Sequence, residues 1–153
     1  MKIRTVPIIS LLMIALNNSA IAGDAPPSSD LIAEREQVIH QYVLDLGKAD
    51  YQDITSLFEK GGTVISTSRG NVDAKEFFYS FLPDVQSATT KFNQEFISRT
   101  DKDRYTARFH FTFKLKDGET GDGEYVDEFL FGSKSAKLTS VYMFENLKFN
   151  VKN

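Results

Sequence analysis

The hydrophobic pattern changes its period near the middle of the chain. Up to Leu82 the apolar residues recur at helical spacing, and from Ala88 onward they alternate with polar ones. Ile32, Ile39, Tyr42, Val43 and Leu46 form one stripe, which predicts a helix capped by Asp30 and running to about Leu46. Gly47 to Asp50 breaks it. A second short helix is predicted over Tyr51–Phe58, with Ile54, Leu57 and Phe58 on one side and Gly61-Gly62 as its stop. Thr63 to Thr67 (TVIST) predicts a short strand. Asp73-Ala-Lys-Glu76 resembles a capping box and opens a third helix, whose stripe is Phe77, Phe78, Phe81 and Leu82 and which Pro83 ends.

The second half predicts strands. Thr90, Phe92, Gln94 and Phe96 share one face, and Lys91, Asn93 and Glu95 the other, up to a turn at Asp101-Lys102-Asp103. Tyr105, Ala107, Phe109, Phe111, Phe113 and Leu115 then alternate with Thr106, Arg108, His110, Thr112 and Lys114. A turn-rich connection (DGETGDG, residues 117–123) leads to a strand over Tyr125–Phe131. A turn over Gly132–Lys137 leads to a last strand over Leu138–Glu145. Helices first and an antiparallel meander of about four long strands afterwards make an α+β plan, with the helices covering one face of a curved sheet.

The N-terminal residues stand apart from this pattern. Lys2 and Arg4 precede an apolar run, Val6 to Leu16, and Ala20-Ile21-Ala22 has the small-residue form of a cleavage site. The run is short of the ~20 residues that span a bilayer. Residues 1–22 are therefore expected to be a secretory signal and residues 23–29 (GDAPPSS) a flexible leader. The domain is expected over 30–150, exported to the periplasm or the medium and free of a membrane anchor after cleavage. Removing a segment with two basic residues and no acids takes the formal charge from −3 to −5. Such a chain lacks the basic excess of a nucleic-acid binder. There is no cysteine, so stability rests on a core rich in the 13 Phe and 6 Tyr.

Candidate chemistry is sparse. Asp127 lies at the same parity as Tyr125, Phe129 and Phe131, so it faces the apolar side of its strand. A buried unpaired charge costs several kcal/mol, so this carboxyl is salt-bridged or solvated at a rim, or it is kept for a ligand or for catalysis. Tyr42 lies within the apolar arc of the first helix, and Tyr125 and Tyr142 either line a pocket or pack under a helix. His40 lies off the apolar arc, and His110 belongs to the outer sheet face. Two separated histidines without cysteine make no metal site, and no cofactor motif is present. Asp117, Glu119, Asp122 and Glu124 lack the spacing of a calcium loop and are expected to form a solvated hairpin.

The order of elements is similar to the nuclear transport factor 2-like superfamily, which includes SnoaL-like polyketide cyclases and ketosteroid isomerase-like proteins. The resemblance spans about residues 31–149 and is densest over Ile39–Ser66 (IHQYVLDLGKADYQDITSLFEKGGTVIS), with a further match in a Gly followed by a helix start over Gly70–Phe78. It implies a cone in which a bent sheet wraps the first helix around an apolar pocket. It implies pocket positions for Tyr42, Ser66, Phe81, Tyr125, Asp127, Phe129 and Tyr142. In the isomerase pattern a helix tyrosine and a protonated strand acid donate hydrogen bonds to a developing oxyanion. Tyr42 and Asp127 fall at those places, as tentative catalytic residues. The pattern's general base is missing, because Ser66 stands at its position, and a serine hydroxyl does not abstract a carbon-bound proton unaided.

Three functions follow as expectations. The first is an apolar pocket that binds a small hydrophobic or amphipathic molecule. The second is an isomerase, cyclase or dehydratase using Asp127 with Tyr42. The third is a homodimeric interaction module. The resemblance implies a homodimer through the outer sheet face, where Arg108, His110 and Thr112 alternate.

Overall fold

The computed structural model describes residues 27–147. The expected signal, most of the expected leader and residues 148–150 lie outside them. Helix α1 (Ser29–Lys48) begins at Ser28, whose hydroxyl accepts the Leu31 N–H. That cap lies two residues ahead of Asp30, which instead places its charge in the first turn, where the helix dipole favours it. The helix also runs through Gly47, where a break was expected, and ends at Ala49 in the left-handed conformation. Gly47 serves a close approach rather than a stop. A Cβ there would lie 2.6 Å from Thr90 Oγ1, and Thr90 donates to the Val43 carbonyl across the same gap.

Helix α2 (Tyr51–Ser56) is followed at once by β1 (Phe58–Ser66). Gly61 and Gly62, expected to stop a helix, sit inside this strand at an irregularity between Phe58 and Thr63. The short strand β2 (Gly70–Asp73), which the sequence pattern does not predict, pairs back onto β1 just ahead of the expected helix start at Asp73. Asp73 then caps α3 (Ala74–Phe81) by accepting the Glu76 N–H at 3.1 Å, and a 3₁₀ turn at Leu82–Asp84 carries Pro83. Strands β3 (Val85–Ile97), β4 (Arg104–Leu115), β5 (Thr120–Phe131) and β6 (Leu138–Leu147) form the antiparallel meander. The sheet order is β2-β1-β6-β5-β4-β3. β1 runs parallel to β6, so the sheet is mixed rather than wholly antiparallel, and it is open.

Helix α1 packs across β3 and β4, and α3 packs against α2 and β1. The core sits between them, where Ile39, Tyr42, Val43 and Leu46 meet Phe78, Phe109 and Phe129. Strand β3 departs from simple alternation. Phe92 pairs with Phe109 and Gln94 with Arg108, which leaves Asn93 as an extra residue in a bulge. Beyond it the faces exchange. Glu95 opposes buried Ala107 and turns inward, whereas Phe96 turns outward and is exposed. Among the described residues no helix is long and apolar enough to cross a membrane.

Candidate functional site

A cavity of about 360 Å³ opens between α3 and the inner faces of β4, β5 and β6. Its wall is mainly phenyl: Phe77, Phe78 and Phe81 come from the α3 stripe, and Phe109, Phe111 and Phe113 from alternate positions of β4. Gly121 on β5 leaves room for the Phe113 ring, whose Cε1 lies 2.3 Å from where a Cβ would be. Asp127, Tyr125, Met143 and Glu145 complete the sheet side, and Ser68, Arg69, Glu119 and Thr120 stand among the polar residues bordering the cavity.

Asp127 has no exposed surface. Its Oδ2 accepts the Tyr42 hydroxyl at 3.2 Å, and its Oδ1 has no hydrogen-bond partner among the described residues. Burial pushes the carboxyl well above the usual carboxylate range, opposed by the Tyr42 hydrogen bond and a weaker pull from the Phe144 backbone, while the Glu145 charge adds to the rise. The neutral acid is therefore the form that suits this site. With Oδ2 receiving the tyrosine, Oδ1 carries the proton and becomes a donor. Tyr42 is fixed behind it by edge contacts with Phe129 at 5.0 Å and Phe78 at 5.9 Å. Burial above all raises the tyrosine pKa, an ionised Asp127 would raise it further, and the side chain stays a phenol.

The expected pocket residues divide into three groups. Phe81, Tyr125 and Asp127 border the cavity. Tyr42 and Phe129 lie in the layer beneath it, so Tyr42 reaches the cavity only through Asp127. Ser66 and Tyr142 do not border it. Ser66 is buried in the β1–β2 turn, where its hydroxyl accepts the Arg69 N–H at 3.2 Å. Tyr142 pairs with Glu128 on the outer face, because its neighbour Met143 is the residue that turns inward opposite Asp127.

Glu145 and Arg69 are among the bordering residues outside the expected pocket set. Glu145 continues the inward alternation of Val141 and Met143, and that parity was the signal. Arg69 has no such signal, since it sits in the β1–β2 connection. The fold sets its guanidinium 5.7 Å over the Phe77 ring and beside the Ser80 hydroxyl.

Both histidines lie away from the cavity. His40 stacks on Phe92 at 4.1 Å, with Glu95 3.6 Å away. His110, on the outer face, bonds Asp122 at 2.6 Å and Glu124 at 3.1 Å, and those hydrogen bonds raise its pKa. Half of the expected solvated hairpin thus holds an imidazole. No group of three or more His, Cys, Asp or Glu among the described residues is arranged to hold a metal ion.

The arrangement of helices and sheet recurs in solved structures of low sequence identity. A nuclear transport factor 2-like protein of unknown function from an Exiguobacterium species matches over 71% of this chain and 98% of its own, at TM-score 0.58 and 19% identity. The chain has the nuclear transport factor 2-like fold. A ketosteroid isomerase-like protein from Erwinia carotovora atroseptica shares that fold over 77% of this chain and 98% of its own, at TM-score 0.59 and 16% identity. The epoxide hydrolase/cyclase-like enzyme SalBIII, with its role in pyran ring formation in the polyether salinomycin, shares it over 75% of this chain and 92% of its own, at TM-score 0.61 and 15% identity. No family model and no curated protein matches the sequence. Nuclear transport factor 2-like neighbours include cyclases, isomerases and hydrolases, so the fold is compatible with a ligand pocket and with an enzyme.

Proposed function

We propose that the protein binds a small, largely apolar molecule carrying a carbonyl or ether oxygen, and that Asp127 holds that oxygen. The observation behind this reading is Asp127 Oδ1, a buried oxygen without a hydrogen-bond partner among the described residues, at the border of a cavity walled by phenyl rings. A buried polar group left unsatisfied costs about 1–3 kcal/mol. A ligand oxygen removes that cost, whereas water entering a phenyl-lined space finds few other partners. The cavity volume suits two fused six-membered rings. Residues 1–22 support an exported protein, so the ligand would be met in the periplasm or the medium.

The test is a binding titration with 1-tetralone, a bicyclic aromatic ketone, on wild type and two variants. Asp127→Leu removes the donor and should weaken binding about tenfold. Asp127→Asn keeps an acceptor for Tyr42 and an amide donor toward the cavity, and should bind within about threefold of wild type. Equal binding by wild type and Asp127→Leu would count against the proposal. Native mass spectrometry of the protein from its producing cells then gives the mass of whatever the cavity retains.

A second proposal concerns the opposite face. On the outer side of the sheet Val126 and Phe144, 38% and 55% exposed, share a row with Arg108, and Phe96, 53% exposed, lies in the next row. An exposed apolar patch on a sheet favours contact with another chain, and we propose a homodimer through it.

A further inference from the structure

We infer that two copies of the chain pack across the outer sheet face with the basic strand β4 of each lying over the acidic strand β5 of the other. The inference rests on the homodimer reading and gives that interface an arrangement and an anchor. The outward side chains of β4 include Arg104, Arg108, His110 and Lys114 and no acid. Those of β5 include Asp122, Glu124 and Glu128 and no base. A stripe of each sign therefore runs down two neighbouring strands. On β6, beside them, Tyr142 and Phe144 face outward without charge.

Within one copy the stripes bond sideways, with one exception. His110 bonds Asp122 and Glu124, and Arg104 donates to Glu128 at 3.0 Å. Arg108 is exposed and has neither a hydrogen bond nor an ion pair among the described residues. Its own row offers no acid, since Gln94 lies on one side, Val126 on the other and Phe144 beyond. Glu124 and Glu128 stand diagonally from it on β5, to either side of Val126. Each of those carboxylates keeps lone pairs after its bond to β4. A cation with five unused donors thus stands in the apolar row of the face.

Symmetry then decides how the stripes meet. Sheets packed face to face keep their strands within about 30° of each other, and two identical copies are related by a two-fold axis. An axis running across the strands lays each strand on its own copy, which puts Arg108 among the cations of a second β4. An axis running along the β4–β5 seam lays β4 on the partner's β5, and each row meets the same row reversed. Arg108 then rests its stem on the partner's Val126 and places its guanidinium between the partner's Glu124 and the partner's Glu128. The same operation lays β3 on the partner's β6. Exposed Phe96 there meets the partner's Tyr142, because both belong to the row of Thr106 and Glu128. Of the two axes, the seam axis sets opposite charges together and covers the exposed ring, and each contact occurs twice.

The experiment is equilibrium sedimentation of wild type, of Arg108→Glu, of the double variant Glu124→Lys with Glu128→Lys, and of the two variants mixed one to one. Wild type should dimerise. Each variant alone sets like charges together across the seam and should lose about 100-fold or more in dimer affinity, since such juxtaposition costs several kcal/mol. In the mixture each chain supplies the charge that the other's stripe lacks, so a heterodimer should form within about tenfold of the wild-type affinity. Native mass spectrometry identifies it by mass. Should the double variant fail to fold, Glu124→Gln with Glu128→Gln removes the attraction without adding repulsion and should weaken the dimer about tenfold. Wild-type affinity in either charge variant, or a mixture that stays monomeric, would overturn the seam arrangement and leave the dimer standing. Wild type that stays monomeric at every concentration would overturn both.

Discussion

Arg35 has no exposed surface, and it spends its whole guanidinium on other segments of the chain. Nε donates to the Ser135 carbonyl at 3.1 Å, Nη1 to Lys102 at 3.0 Å and Nη2 to Gly132 at 2.7 Å, with the Asp103 carboxylate 2.9 Å away. The Phe131 ring lies 5.2 Å beneath it. One side chain thus ties α1 to the turn before β4 and to the turn before β6. Arg35→Lys keeps the charge but loses the fork that serves three carbonyls at once. It should destabilise the protein by roughly 3 kcal/mol or more, the scale for breaking a buried, paired charge. Urea unfolding measures this, and a loss under about 1 kcal/mol would show that water replaces the fork. Arg35 was visible as a residue on the α1 stripe, three after Ile32 and four before Ile39, yet its type placed it among the polar positions. Asp127 was legible for the converse reason. Its strand alternates so cleanly that an acid at inward parity stands out.

At the scale of elements, the strands with uninterrupted alternation, β4 and β5, follow from the sequence, and those with an interruption do not. Nothing local marks Asn93 as an extra residue. Its side chain donates to Glu124 on β5, a partner that exists only once the sheet has formed, and the bulge exchanges Glu95 with Phe96. β1 was shortened in the same way, since Gly61-Gly62 signals a break and the fold uses it as an irregularity inside a strand. β2 has four residues, too few for any period to show. The contact between α1 and β3 gives the test at this scale. Gly47→Ala improves helix propensity by about 1 kcal/mol. It also puts a methyl 2.6 Å from Thr90 Oγ1 and 3.2 Å from the Thr90 backbone nitrogen. The crowding should win, because the nearer atom is held by its bond to Val43 and the other is backbone. A net loss of about 1–3 kcal/mol is expected in thermal unfolding. A gain would mean that α1 slides on the sheet.

The whole molecule has an unusual balance of protons. Burial lifts Asp45 from 3.8 to about 6, and burial together with the charge of Glu36 lifts Glu95 from 4.5 to about 7. Burial lifts Asp127 further, and the carboxylates beside His110 raise that imidazole. Unfolded, each acid releases its proton at its ordinary value; folded, it keeps the proton to higher pH. The native state then binds more protons, and its stability falls as pH rises. The window opens near pH 4 for Asp45 and near 4.5 for Glu95 and closes near 6 and 7, and the raised Asp127 carboxyl contributes with the same sign. The His110 share is full below its ordinary value and is lost as pH passes the raised one, which is the same sign. The thermal midpoint should therefore drop between about pH 5 and about pH 8, and Asp127→Asn should flatten the drop. A midpoint that rises over this range would contradict it. At the same scale, Phe144→Glu and Arg108→Glu place a negative charge in the outer apolar row and should move sedimentation toward monomer. An unchanged profile would remove that face as an interface.

The position of β6 also has a kinetic consequence. It lies between β1 and β5 in the sheet, so it is the strand that joins the β1–β2 hairpin to the β3–β5 meander edge to edge. Phe58 must find Leu138 across about two thirds of the described chain. Pairing so distant is formed slowly, because the loop must close before any contact rewards it. The cavity takes part of its sheet side from β6 itself, through Met143 and Glu145. Its completion is therefore expected among the last events of folding, and a chain halted before residue 138 would lack the β6 part of its wall.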